Sequence, residues 1–183
     1  MLIFIYIFFG LILHLFITLI KPDLCYRIIS SWTKGINIFL RKTLGIKVFA
    51  EGNTWYLKEG GNFIISNHQS YLDGIILGSL FPLIFISKLQ VKSWPIFGWM
   101  TQVGSTIFID RERKSKSLSS LELITNILKS KINILLFPEG TSTNGSRILP
   151  FQSIFFQAPL NSNSSIIPIT IQYLKIDFQN VCL

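Results

Sequence analysis

In the stretch "SNHQSYLDG" a histidine, His68, precedes an aspartate, Asp73, by five residues. Imidazole can take a proton near neutral pH, and a carboxylate can hold it in one tautomer while it does so. The chain has two histidines and four aspartates, so chance can also supply such a pair. Geometry narrows the functional reading. Residues five apart on one helix point about 140° from each other. The two side chains meet only if His68 lies in a turn and Asp73 lies inside the helix that follows.

Other polar residues collect after apolar runs. Asn67 and His68 follow "NFIIS", Arg111 follows "STIFID", and Glu139, Gly140 and Thr141 follow "INILLF". The carboxyl ends of strands are where open α/β sheets carry their sites. Each group also has a plain reading. Residues 111–116 could be a solvated basic turn, and "FPEG" could be a Pro/Gly loop.

The elements that would position these residues are short apolar runs set between turn signals. "IKVFAEG", "NFIIS", "LIFISK", "STIFID", "INILLF" and "SIIPITIQYL" read as strands, with Glu59-Gly60-Gly61-Asn62 as a turn. "YLDGIILGSL" reads as a short helix, and "SWPIFGWMTQVG" as a helical or broken helical piece. Residues 115–131 carry the apolar spacing of an amphipathic helix through Leu118, Leu121, Ile124, Ile127 and Leu128. Alternating strands and helices predict an α/β domain over residues 45–183, with a mixed, largely parallel sheet and flanking helices.

Residues 1–44 differ in texture. "MLIFIYIFFGLILHLFITLI" runs for 20 residues without a charge, long enough for a helix to match a bilayer's hydrocarbon layer. It lacks the basic start and the small-residue cleavage site of a secretory signal. An uncleaved membrane anchor is therefore expected. Lys21, Arg27, Lys34, Arg41, Lys42 and Lys47 follow it, which predicts that the remainder of the chain lies on the cytoplasmic side. A second helix is expected from Pro22, with Asp23 as N-cap, amphipathic through Leu44. It either lies on the membrane surface or packs on the domain.

Composition agrees with a membrane setting: 49% of residues are hydrophobic, 14% are aromatic, and the formal net charge is +8. The aromatic residues fall mostly within apolar runs, and no zinc-finger or RNA-stacking motif is present, so no nucleic-acid partner is expected. Cys25 and Cys182 lack metal or redox spacing and read as free thiols.

Taken together, "NHQSYLD", "GSTIFIDR", "FPEGTST" and "IIPIT", in this order, resemble the four sequence blocks of the glycerolipid acyltransferase family, the HxxxxD and FPEGT motifs among them. That family includes 1-acylglycerol-3-phosphate and lysophospholipid acyltransferases. The resemblance covers roughly Glu51 to Tyr173. It implies transfer of a fatty acyl group from acyl-CoA or acyl carrier protein to a lysolipid hydroxyl, without cofactor or metal and without a serine or cysteine nucleophile. It implies His68 as general base and Asp73 as its orienting partner. It further implies Arg111 on the acceptor's phosphate, Glu139, Gly140 and Thr141 in the acceptor site, Lys88 as a second phosphate contact, and Pro168 shaping the acyl groove. Ser142 stands where many phosphatidate-forming members have arginine, Gln152 where lysine is common, and Ile154 where glycine is common. These departures resemble members acting on larger head groups or on lyso-ornithine lipids. The chain ends soon after the fourth block, so a domain truncated at its C-terminal end, with an exposed sheet edge, is a further expectation. Two alternatives stay open: a thioesterase or phospholipase using water as acceptor, and a basic membrane-surface lipid-binding protein without turnover.

Overall fold

The apolar runs associate side by side in a computed structural model, which describes residues 22–110 and 114–174 together with Phe8, Gly10 and Ile12. β1 (Phe63–Ser66), β2 (Ile84–Lys88), β3 (Ile107–Ile109), β4 (Ile134–Leu136) and β5 (Ile166–Ile169) form one sheet in the order β3-β2-β4-β1-β5. Phe63 lies opposite both Ile134 and Ile166, Ile84 opposite Ile134, and Ile86 opposite Ile107. Every pairing among the described residues is parallel, where a mixed, largely parallel sheet was expected.

A parallel sheet is covered on both faces, which is why its strands read as unbroken apolar runs. Successive side chains point to opposite faces. Phe63, Ile134 and Leu136 join Ile84, Ile124, Ile127, Leu128 and Ala158 in one buried cluster. Ile64 and Leu135 join Leu57, Leu77 and Leu83 in the other. The first cluster lies under α5 (Lys114–Lys129) and α6 (Gln157–Ser162), and the second lies under α3 (Leu72–Leu80). Pro168 sits in β5 opposite Ile65, at the edge of the described sheet, where a missing N–H costs least.

The long helix α1 (Pro22–Thr43) lies against α3. Ile29 is 2% exposed, and a Cβ at Gly78 of α3 would fall 2.3 Å from Asn37 Nδ2 of α1. At its start, Asp23 is inside the first helical turn rather than at the N-cap. Its Oδ1 accepts from Ser130 Oγ at 2.8 Å, and Arg27 donates to the Ser130 carbonyl at 2.7 Å. The inner face of α1 thus packs on the domain, while Leu24, Trp32 and Phe39 remain exposed.

One other expectation changes. "IKVFAEG" forms no regular element and pairs with no strand among the described residues, and its Phe49 is 79% exposed. A short helix, α2 (Trp55–Glu59), precedes β1 instead. The piece expected to be helical or broken helical over 93–104 holds α4 (Phe97–Val103), and a 3₁₀ turn (Leu89–Ser93) precedes it. Most of the uncharged N-terminal stretch, and with it the expected anchor, lies outside the described residues. No described helix is long and apolar enough to cross a membrane.

The connections from β1 and β4 leave on opposite faces of the sheet, β1 through α3 and β4 toward α6. Adjacent parallel strands that diverge in this way open a crevice at their carboxyl ends. His68 and Glu139 follow those two strands.

Candidate active site

β1 ends at Ser66, and the chain turns through residues 67–71 before α3 begins at Leu72. Asp73, in the first turn of α3, is fully buried. His68 Nδ1 is 2.8 Å from Asp73 Oδ2. The same oxygen accepts the backbone N–H groups of Gln69 at 2.6 Å and Ser70 at 2.9 Å. The carboxylate therefore organises the turn that carries the histidine. This is the turn-to-helix arrangement that the five-residue spacing demands.

Asp73 Oδ1 accepts the Tyr173 hydroxyl at 2.5 Å. Burial is the largest single influence on the Asp73 carboxyl and pushes it up. The bonds from His68, Tyr173, Ser70 and Gln69 together outweigh burial and hold it below the usual aspartate range. An ionised carboxylate can only accept, so Nδ1 carries a proton, and in the neutral imidazole Nε2 is then the nitrogen with the lone pair. Nε2 has no hydrogen-bond partner among the described residues, and the His68 side chain is 19% exposed. The arrangement is a base with one nitrogen fixed and the other open.

Phe137, directly after β4, stacks on the His68 ring with centroids 4.1 Å apart and planes 14° from parallel. The loop beyond it is tied back to the histidine, because Thr143 donates its N–H to the His68 carbonyl at 2.8 Å. Glu139 is 8% exposed, and its Oε2 accepts the Leu149 N–H at 2.9 Å, which closes the loop between them. Gly140 turns this loop at a φ of +69°, and Thr141 is exposed.

The structure thus brings His68, Asp73, Glu139 and Gly140 to one end of adjacent strands. Lys88 ends β2, on the far side of β4 from β1. Arg111 lies outside the described residues. Among the described residues no group of three or more His, Cys, Asp or Glu side chains could hold a metal ion. Cys25 is a free thiol pushed up by burial, and Cys182 lies outside the described residues.

Sequence reasoning missed Tyr173, a hundred residues from its partner. Asn67 explains the contact in the structure. Its side chain clamps the backbone of Ile171, accepting from the N–H at 2.8 Å and donating to the carbonyl at 3.0 Å. That clamp carries the chain past β5 and delivers Tyr173 to Asp73.

The family model described as Acyltransferase matches residues 40–172. Lyso-ornithine lipid O-acyltransferase of Pseudomonas aeruginosa is 35% identical over 61% of this chain and 43% of its own length. 1-acyl-sn-glycerol-3-phosphate acyltransferase of Neisseria gonorrhoeae is 29% identical over 62% of this chain and 44% of its own length. The chain spans about half the length of the curated relatives it matches. The crystal structure of the 1-acyl-sn-glycerophosphate (LPA) acyltransferase PlsC from Thermotoga maritima shares the fold. Its TM-score is 0.63 at 18% identity, over 90% of this chain and 70% of that one.

Proposed function

Because the chain belongs to the acyltransferase family, we propose that it transfers a fatty acyl group from a thioester donor to the hydroxyl of a lysolipid, with the His68–Asp73 pair as its base. The observation that carries this reading is the open Nε2 of His68 beside an Asp73 held ionised. The acceptor hydroxyl gives its proton to Nε2 as its oxygen attacks the thioester carbonyl. Asp73 stabilises the resulting imidazolium across the 2.8 Å contact. Collapse of the tetrahedral intermediate breaks the C–S bond, and the imidazolium returns the proton to the departing thiolate. The ester and a free thiol are the products, and the enzyme is regenerated without a covalent intermediate.

Acyl-CoA or acyl carrier protein fits the donor role, and the reaction so written uses no cofactor. Arg111 and Lys88 are assigned to an acceptor phosphate, because guanidinium and ammonium groups suit phosphate oxygens. Glu139, with Oε2 committed to Leu149, has Oε1 for an acceptor hydroxyl, and Gly140 and Thr141 shape the loop around it. The uncharged first 20 residues support attachment to a membrane, with the following basic residues supporting a cytoplasmic catalytic domain.

Lysophosphatidate or a related lysophospholipid is the acceptor class in this reading. A second acceptor, lyso-ornithine lipid, is favoured by Ser142 and by the Pseudomonas aeruginosa relative. The test is a panel in membranes with labelled acyl-CoA, offering lysophosphatidate, lysophosphatidylcholine, lysophosphatidylethanolamine and lyso-ornithine lipid. Acceptor-dependent ester formation is expected, with His68→Ala reducing it at least a thousandfold while the protein stays folded. Undiminished transfer by His68→Ala would overturn the assignment of the base. Free fatty acid formed regardless of acceptor would make the protein a hydrolase.

A further inference from the structure

Between β2 and β3 the chain presents an apolar strip to water. Lys92, Ser93, Trp94, Pro95, Ile96 and Phe97 are exposed without a break, and Trp99 is 57% exposed just beyond. Tyr71, from the turn that carries His68, leans on this strip. Its ring centroid lies 5.6 Å from that of Trp94, nearly edge-on, and 6.1 Å from that of Phe97. The strip is therefore continuous with the wall of the site.

Its charge is one-sided. Lys88 and Lys92 lead into the aromatic residues, and the sequence has no aspartate or glutamate between Asp73 and Asp110. Indole and phenol rings beside ammonium groups match the boundary between head groups and acyl chains. The rings sit at the polar–apolar border and the cations meet anionic lipid. We propose that the segment from Leu89 to Trp99, together with Tyr71, enters the head-group layer of an anionic bilayer and sets the mouth of the His68–Asp73 site against the lipid. This deepens the lysolipid reading and rests on it for what the site gains. An acceptor held in the leaflet would reach Nε2 without leaving the membrane.

The chain has four tryptophans, Trp32, Trp55, Trp94 and Trp99, so single-tryptophan versions of the full chain are accessible by Trp→Phe changes. Trp55 is 61% exposed in α2, just before β1 begins and hence at the opposite end of the parallel sheet, and it serves as the reference. Each version is mixed with phosphatidylcholine–phosphatidylglycerol vesicles whose acyl chains carry bromine. Emission from Trp94 and Trp99 is expected to shift to the blue and to be quenched at least threefold more than emission from Trp55, less so without phosphatidylglycerol. Equal quenching at all three positions on vesicle-bound protein would overturn the proposal. So would failure to bind vesicles, or emission from Trp94 that is already blue in solution and resists the brominated lipid, which would mean that protein covers the strip. Acyl transfer measured on the same samples separates the two readings. Quenching without transfer removes the reaction and leaves the surface, whereas transfer without quenching does the reverse.

Discussion

At the scale of single residues the site turns on how many donors one buried carboxylate receives. Asp73 accepts from His68, Gln69 and Ser70 on one oxygen and from Tyr173 on the other. Removing the phenol hydroxyl alone leaves His68 in contact but frees Asp73 Oδ1 to shift. Tyr173→Phe is expected to lower kcat about threefold to tenfold, the worth of one such hydrogen bond, with KM nearly unchanged. In an Asp73→Asn background the same change should do almost nothing, which a general loss of packing would not reproduce. The hydroxyl is also pushed up to about 12, by burial first and then by its bond to Asp73 and that residue's charge. A raised phenol stabilises the fold fully below its ordinary value of 10.0 and loses that contribution as pH rises through about 12. The wild type should therefore lose stability over that alkaline window more steeply than Tyr173→Phe, by a modest amount because Tyr173 is 43% exposed. Denaturant midpoints measured against pH would show it. The Asp73 carboxyl works in the opposite sense. Held low, it stabilises the fold above the ordinary aspartate value and loses that contribution as pH falls through its own depressed one.

At the scale of elements, the end of the sheet opposite the site is held by polar groups. Asn133 Oδ1 accepts the Asn62 backbone N–H at 3.1 Å and its side-chain N–H at 2.9 Å, while Asn133 Nδ2 donates to the Leu57 carbonyl at 2.9 Å. This buried cluster aligns α2, β1 and β4 at their starts. Asn133→Ala leaves several buried donors and acceptors unpaired and should cost about 2–4 kcal/mol in chemical unfolding, with transfer by the remaining folded protein little changed. The cluster was not legible in the sequence, where Asn62 read as a turn residue and Asn133 as part of the apolar run "INILLF". The strands were legible because covered parallel strands announce themselves as apolar runs. "IKVFAEG" carries the alternation of a strand, and Ile46 and Val48 are partly buried, but no described strand pairs with it. WYLKE is too short for a helical period to show, and Pro159 obscures α6 although it occupies a first-turn position that tolerates it. The His68–Asp73 pair was legible because spacing alone fixes its turn-to-helix geometry. Tyr173 was not, because a contact across a hundred residues leaves no local pattern.

At the scale of the whole molecule, α1 packs on the helix that carries Asp73. Its inner face covers α3, the helix that holds Asp73, and its first turn is fastened to Ser130 at the end of α5. A residue boundary at 44 is natural in the sequence, where the texture changes, yet the packing runs across it. Ile29 is the most deeply buried apolar contact that α1 contributes, at 2% exposure. Ile29→Ala should remove about 2–4 kcal/mol of stability through the cavity it leaves. The loss should be directed rather than uniform. Hydrogen exchange is expected to quicken across Leu72–Leu80 and the His68 turn before it quickens in β4, whose three residues are all buried. Transfer should then fall with temperature earlier than global unfolding does, since Asp73 loses its fixed position while the sheet persists. If exchange in α3 stays at the wild-type rate while the midpoint drops, α1 stabilises the domain without steadying the site, and its place beside the dyad has no catalytic consequence.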